Sequence, residues 1–86
     1  MSLAAPTTAD VADVVTKTAA QLLKLPDVST EDNLLELGVD SLVGTRIVVE
    51  LHSRFDVEVP LILLFEHPVV SDFVDVVLDV CAESRG

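Results

Sequence analysis

Few side chains in this sequence could do chemistry, and the most conspicuous are the neighbours Asp40 and Ser41. They lie in "LLELGVDSLVGTRIV", Leu34 to Val48, where with Gly38 they interrupt an otherwise apolar run. His52, His67, Glu66 and Cys81 complete the set. A serine at a helix mouth can cap orphan N–H groups, attack as a nucleophile, or accept a covalent group. Capping is the commonest use and requires nothing else. Nucleophilic attack has little support: "GVDSL" lacks the second glycine of a nucleophile elbow, and neither histidine is near Ser41 in sequence. No catalytic residue is assigned. Glu66, His67 and Cys81 offer no metal-ligand spacing, so no metal is expected. Cys81 falls on an apolar stripe and reads as a buried structural thiol. No Gly-rich phosphate loop occurs.

The elements that must position Asp40 and Ser41 follow from periodicity. Thr7 or Thr8 can cap a first helix, with Asp10 in the capping-box position after Thr7. Val11, Val14, Val15, Thr18, Leu22 and Leu25 recur at helical spacing, which predicts a helix over about 9–24, stopped by Pro26. Residues 26–40 form a long connection whose "LLEL" tucks under the bundle through a short helical turn. Gly38 suits a positive φ, and Asp40 or Ser41 caps a second helix running to about Phe55.

That second helix is apolar on two sides. Gly44, Ile47, Val48, Leu51 and Phe55 form a core stripe, while Leu42, Thr45, Arg46 and Val49 line the opposite flank. Val57 and Val59 alternate with acids as a short extended piece. Pro60 then opens a short helix, "LILLFEH", in which at least one of Ile62 and Leu63 must face outward. His67 can cap its end ahead of Pro68. Ser71 is predicted to cap a last helix with Val70, Phe73, Val74, Val77, Leu78 and Cys81 inward. Leu42 and Val49 with Ile62 and Leu63 would make an apolar patch, which on a soluble monomer marks a docking site.

Composition sets the frame. Eighty-six residues, half of them hydrophobic and only three aromatic, all Phe, make one domain with a small aliphatic core. One cysteine rules out an internal disulfide framework and fits a reducing compartment. No apolar run reaches the length of a membrane span and no signal pattern opens the chain, so a cytoplasmic protein with no membrane partner is expected. A net charge of −10 argues against nucleic acid. The acids are unevenly spread: residues 1–40 carry seven against Lys17 and Lys24, and residues 56–86 carry seven against Arg85. Residues 41–55 carry only Glu50 against Arg46 and Arg54. The segment after Ser41 is a nearly neutral island that could steer a partner. The expected domain plan is a disordered tail at 1–6, a single domain over 7–83 and a short tail at 84–86.

With these residues in place, the chain resembles the carrier-protein family: acyl carrier proteins and the peptidyl carrier (thiolation) domains of nonribosomal peptide and polyketide assembly lines. "LLELGVDSL" looks like the family's phosphopantetheine attachment motif, centred on Asp40, Ser41 and Leu42. "FDVEVPLILLFEHPVV" looks like its second signature. The resemblance implies an all-α fold, a small four-helix bundle of the acyl-carrier-protein type with three longer helices and a short third one. It implies that a phosphopantetheinyl transferase moves 4′-phosphopantetheine from coenzyme A onto Ser41 in a magnesium-dependent reaction, with Asp40 and Leu42 flanking the site. The arm's thiol then holds an acyl, aminoacyl or peptidyl group as a thioester, and the domain is a shuttle, not an enzyme.

Leu42, Thr45, Arg46, Val49, Ile62 and Leu63 match the surface that the family presents to partners, here adenylation, acyltransferase, ketosynthase or condensation enzymes. A monomer is expected. "SLVGTRIVVELHSRF" looks more like the peptidyl branch, and its near-neutral charge departs from the acidic helix of fatty acid carriers. The competing readings are an unmodified docking module with the same fold and an acyl carrier of fatty acid synthesis.

Overall fold

The computed structural model describes residues 6–85, with side chains through Glu83. Of the tail expected at 1–6, residues 1–5 lie outside the described residues. The described chain forms α1 (Thr8–Leu23), α2 (Leu34–Leu37), α3 (Ser41–Phe55), α4 (Leu61–Glu66) and α5 (Val70–Arg85). The turn expected at "LLEL" is a discrete one-turn helix, so three long helices are joined by two short ones. α5 continues through Arg85, into the stretch expected as a tail from residue 84.

α1 begins where its sequence supplies a reciprocal cap. The Asp10 N–H donates to Thr7 Oγ1 (3.1 Å), and the Thr7 N–H donates to Asp10 Oδ2 (3.2 Å), which satisfies two otherwise orphaned donors. The helix ends at Leu23, before Pro26, because Lys24 turns left-handed (φ 58°) and the Leu25 N–H closes back on the Ala20 carbonyl (2.9 Å). Its buried stripe is Val11, Val14, Val15 and Ala19. Leu22, expected inside, is an exposed edge residue because Ala19 and Leu23 take the inward positions of the last turns.

α1 packs against both α3 and α5, and the short α4 bridges α3 and α5. One aliphatic core results, in which Ile47, Leu51, Leu64, Val70 and Phe73 are wholly buried. Val57 and Val59 both point inward while Asp56 and Glu58 face solvent, as the alternation predicted. No buried polar side chain occurs among the described residues. The core therefore rests on apolar burial alone, at roughly 25 cal/mol per Å² removed from water.

The long connection is fixed by backbone pairing with the start of α5. The Leu34 N–H donates to the Pro68 carbonyl (2.7 Å), Val70 N–H to Asp32 (3.0 Å) and Ser71 N–H to Thr30 (2.9 Å). Ser71 thus lies within the first turn of α5, not at its cap. Carbonyls of the connection accept the N–H groups that a capping serine would have served.

Candidate functional site

The approach to Ser41 is built from α2 and two tight caps. Asn33 caps α2, its side-chain oxygen accepting the Glu36 N–H (3.1 Å). α2 ends at Gly38, whose φ of 109° is a left-handed conformation that a side chain would strain; its N–H returns to α2. The Val39 N–H then donates to the Leu34 carbonyl (3.0 Å), and Val39 inserts into the core. This anchor turns Asp40 and Ser41 outward. Periodicity alone does not mark Asn33, although Glu36 at the capping-box spacing in "NLLE" is a usable signal.

Asp40 is the N-cap of α3. Its Oδ1 accepts the Val43 N–H at 3.0 Å, and its carbonyl accepts the Gly44 N–H at 2.8 Å. The choice between Asp40 and Ser41 as cap is thereby resolved: Ser41 is the first helical residue. Ser41 is exposed, and its hydroxyl has no hydrogen-bond partner among the described residues. Its carbonyl accepts the Thr45 hydroxyl (2.7 Å), which braces the first turn. Capping by Asp40 relieves the Ser41 hydroxyl of structural duty. Asp40→Ala should cost about 1 kcal/mol of stability, the usual value of a lost side-chain cap, read as a lower midpoint in urea.

The remaining candidates do not join Ser41. His52 is exposed on the same helix, roughly 16 Å along the axis at about 1.5 Å per residue. His67 ends α4 through its backbone N–H, which donates to the Leu63 carbonyl (2.9 Å). Cys81 is buried on α5, in agreement with its reading as a core thiol. Among the described residues, no three His, Cys, Asp or Glu side chains gather where they could hold a metal ion. No described helix is long and apolar enough to cross a membrane.

Beyond Ser41, the outer flank of α3 is open. Leu42 is 75% exposed, Val49 52% and Ile62 of α4 58%, while Thr45 and Arg46 are also exposed. Leu63 differs. It is half-buried and packs against the core, because a single-sided short helix needs shoulders around its buried Leu64. At Gly44 the side chains of α4 press close on α3: a Cβ there would meet Leu61 Cδ1 at 2.9 Å. The missing side chain lets α4 bring Ile62 alongside the α3 face.

A phosphate on the Ser41 oxygen fits this setting. The hydroxyl is exposed at the head of a fifteen-residue helix, whose first N–H groups lack intrahelical acceptors and whose dipole favours an anion. With the exposed flank beside it, the helix mouth can accept a phosphate-linked group without rearranging the core.

Known proteins resemble this chain in sequence and in fold. The family described as "Phosphopantetheine attachment site" matches residues 13–77. A linear gramicidin synthase of Brevibacillus parabrevis is 36% identical over 76 residues, 88% of this chain but 1% of that protein. Phosphinothricin tripeptide synthetase PhsB of Streptomyces viridochromogenes is 41% identical over 54 residues, 63% of this chain and 4% of that protein. The chain thus spans only a few hundredths of the length of these relatives. A solved structure described as a "Non Ribosomal PCP domain" superposes with a TM-score of 0.67 at 28% identity, covering 81% of this chain and 87% of that one. The helical fold, the two separated motifs and the family match agree: the chain belongs to the phosphopantetheine attachment, or carrier-protein, family, and its cofactor is 4′-phosphopantetheine.

Proposed function

We propose that Ser41 is the attachment residue and that the domain serves as a peptidyl-type carrier in nonribosomal peptide assembly. The observation that carries the first part is the exposed Ser41 hydroxyl, without an internal partner, on a helix already capped by Asp40. The assembly line is supported by the similar proteins, a tripeptide synthetase, a linear gramicidin synthase and a nonribosomal PCP domain by name. When attached, the arm supplies a thiol that holds the cargo as a thioester. The chain's residues present it. Asp40 fixes the helix start, Thr45 braces the first turn, and Gly38 with Val39 holds the loop away from the hydroxyl. The domain's part is delivery, a reading that the phosphopantetheine attachment family supports.

The partners are a phosphopantetheinyl transferase and the adenylation and condensation domains of a synthetase. In a polyketide setting, acyltransferase and ketosynthase domains would take those places. Leu42, Thr45, Arg46, Val49 and Ile62 form the docking face, with Leu63 supporting it from beneath. Small, transient contact faces give affinities weak enough for a carrier to leave each partner. Val49→Asp should slow modification by the transferase about tenfold or more, equivalent to about 1.4 kcal/mol of lost contact. Its thermal midpoint should barely move, because Val49 is half exposed. A lowered midpoint with unchanged modification kinetics would place Val49 in the core.

The reading as a whole is tested by incubating the purified chain with a broad-specificity transferase, coenzyme A and magnesium. Intact mass should rise by one phosphopantetheinyl group. No rise, while a control carrier in the same tube is modified, would favour an unmodified docking module.

A further inference from the structure

A groove of about 760 Å³ runs between α1 and α3. Its α3 wall is Arg46, Glu50 and Arg54, and Arg46 sits about 160° around α3 from Gly44, where α4 packs. The side chain of Leu23 reaches within 3.9 Å of where a Gly38 Cβ would stand, so the end of α1 lies beside the approach to α3. Leu22, Pro26 and Val28 line the groove from that end of α1 and the segment after it, and Arg46 lines it from α3. Leu22, predicted to be core, is instead 38% exposed.

Four of the charges along the groove are paired within their own helix, while Asp27, which also lines it, makes no ion pair among the described residues. Lys17 bonds Asp13 at 3.2 Å, and Arg54 bonds Glu50 at 3.6 Å. Arg46 has no ion-pair partner among the described residues, because Glu50, one turn beyond it, is turned to Arg54. The helices carry no ion pair across the groove, which leaves it open to an occupant. Its walls offer an aliphatic strip, an unpaired guanidinium and the Gln21 amide.

We propose that this groove is the resting site of the chain's own phosphopantetheine arm, which rests on the reading that Ser41 carries it. Arg46 lies about 7.5 Å along the axis from Ser41 and about 140° around it. An arm leaving Ser41 reaches it by crossing the exposed Leu42. Leu22 and Val28 pack the aliphatic part of the arm, and Gln21 and Arg46 donate hydrogen bonds to its amide carbonyls. Tethering makes weak contacts sufficient, since a short flexible tether gives an effective concentration of about millimolar. A resting arm in this groove covers Leu42 and Arg46 of the docking face and leaves Val49 and Ile62 open, so a partner that engages the whole face displaces the arm.

The test is nuclear magnetic resonance of the apo and holo proteins, with conversion checked by intact mass. Holo-minus-apo amide shifts are expected at Lys17, Gln21, Leu22 and Arg46, with Overhauser contacts between the arm's methyl groups and the methyls of Leu22 and Val28. Gln21→Trp, on the exposed rim, should fill the groove and remove these distant shifts from its holo form. Arg46→Gln should reduce them. Full conversion with shifts confined to residues 39–45 overturns the resting site and leaves the Ser41 reading intact. No mass gain overturns both.

Discussion

Ser41→Ala should abolish phosphopantetheinylation while leaving the fold unchanged. The two effects separate because capping falls to Asp40, whose carboxylate already accepts the Val43 N–H. Ser41 contributes no hydrogen bond through its side chain among the described residues, and alanine is the best helix former. An exposed substitution of this kind changes stability by within about 0.5 kcal/mol. For a domain of this size that is a shift of roughly 2–4 °C in Tm. Modification, by contrast, needs an oxygen at that position, so its loss should be complete. A destabilisation above about 1 kcal/mol would mean that the hydroxyl is a structural cap after all.

Phe73→Ala should produce the largest loss of stability of any single truncation in this domain. Phe73 is the largest of the wholly buried side chains and belongs to α5, a helix that packs against α1 and α4. Removing a buried phenyl ring costs about 3–5 kcal/mol, from lost transfer energy and the cavity left behind. Total stabilities of small domains are about 5–15 kcal/mol, so this variant should stand near the edge of unfolding at 37 °C. At about 4–8 °C per kcal/mol, circular dichroism should record a Tm lowered by more than 10 °C. A fall of only a few degrees would show that the surrounding aliphatic side chains collapse into the gap. The burial of Phe73 would then not be what holds α5 to the bundle.

Local signals carried most of this architecture. The Thr7–Asp10 capping box, the left-handed Gly38, the alternating Val57 and Val59, and the two faces of α3 all stand where residue type and spacing place them. The differences arise where distant backbone decides. Ser71 looks like a cap, but the 30–34 connection supplies acceptors and donors to the start of α5, and α5 begins at Val70. Lys24 adopts a positive φ without glycine's freedom and closes α1 at Leu23, whereas α3 ends at Phe55 as expected, closed by a left-handed Asp56. Leu22 satisfies helical spacing equally well inside or outside; which side wins depends on where α3 and α5 lie. The same holds for Leu63, whose half-burial follows from the depth at which Gly44 lets α4 settle.

The candidate site was legible in another way. Asp40, Ser41 and Leu42 form a contiguous motif, and a motif survives without knowledge of tertiary contacts. Spacing alone left the division of labour between Asp40 and Ser41 open, because both are good caps. The geometry of one hydrogen bond, from the Val43 N–H to Asp40 Oδ1, separates the structural residue from the one left free. The groove between α1 and α3 was not legible, since it depends on side chains brought together from both helices and the connection.

The most direct measurement is localisation of the added group by fragmentation mass spectrometry after transferase treatment. Every copy of the phosphopantetheinyl mass should fall on Ser41, with none on neighbouring Thr45 or on Ser53, and the Ser41→Ala protein should remain at its unmodified mass. Attachment at any other hydroxyl, or continued modification of the alanine variant, would contradict the account.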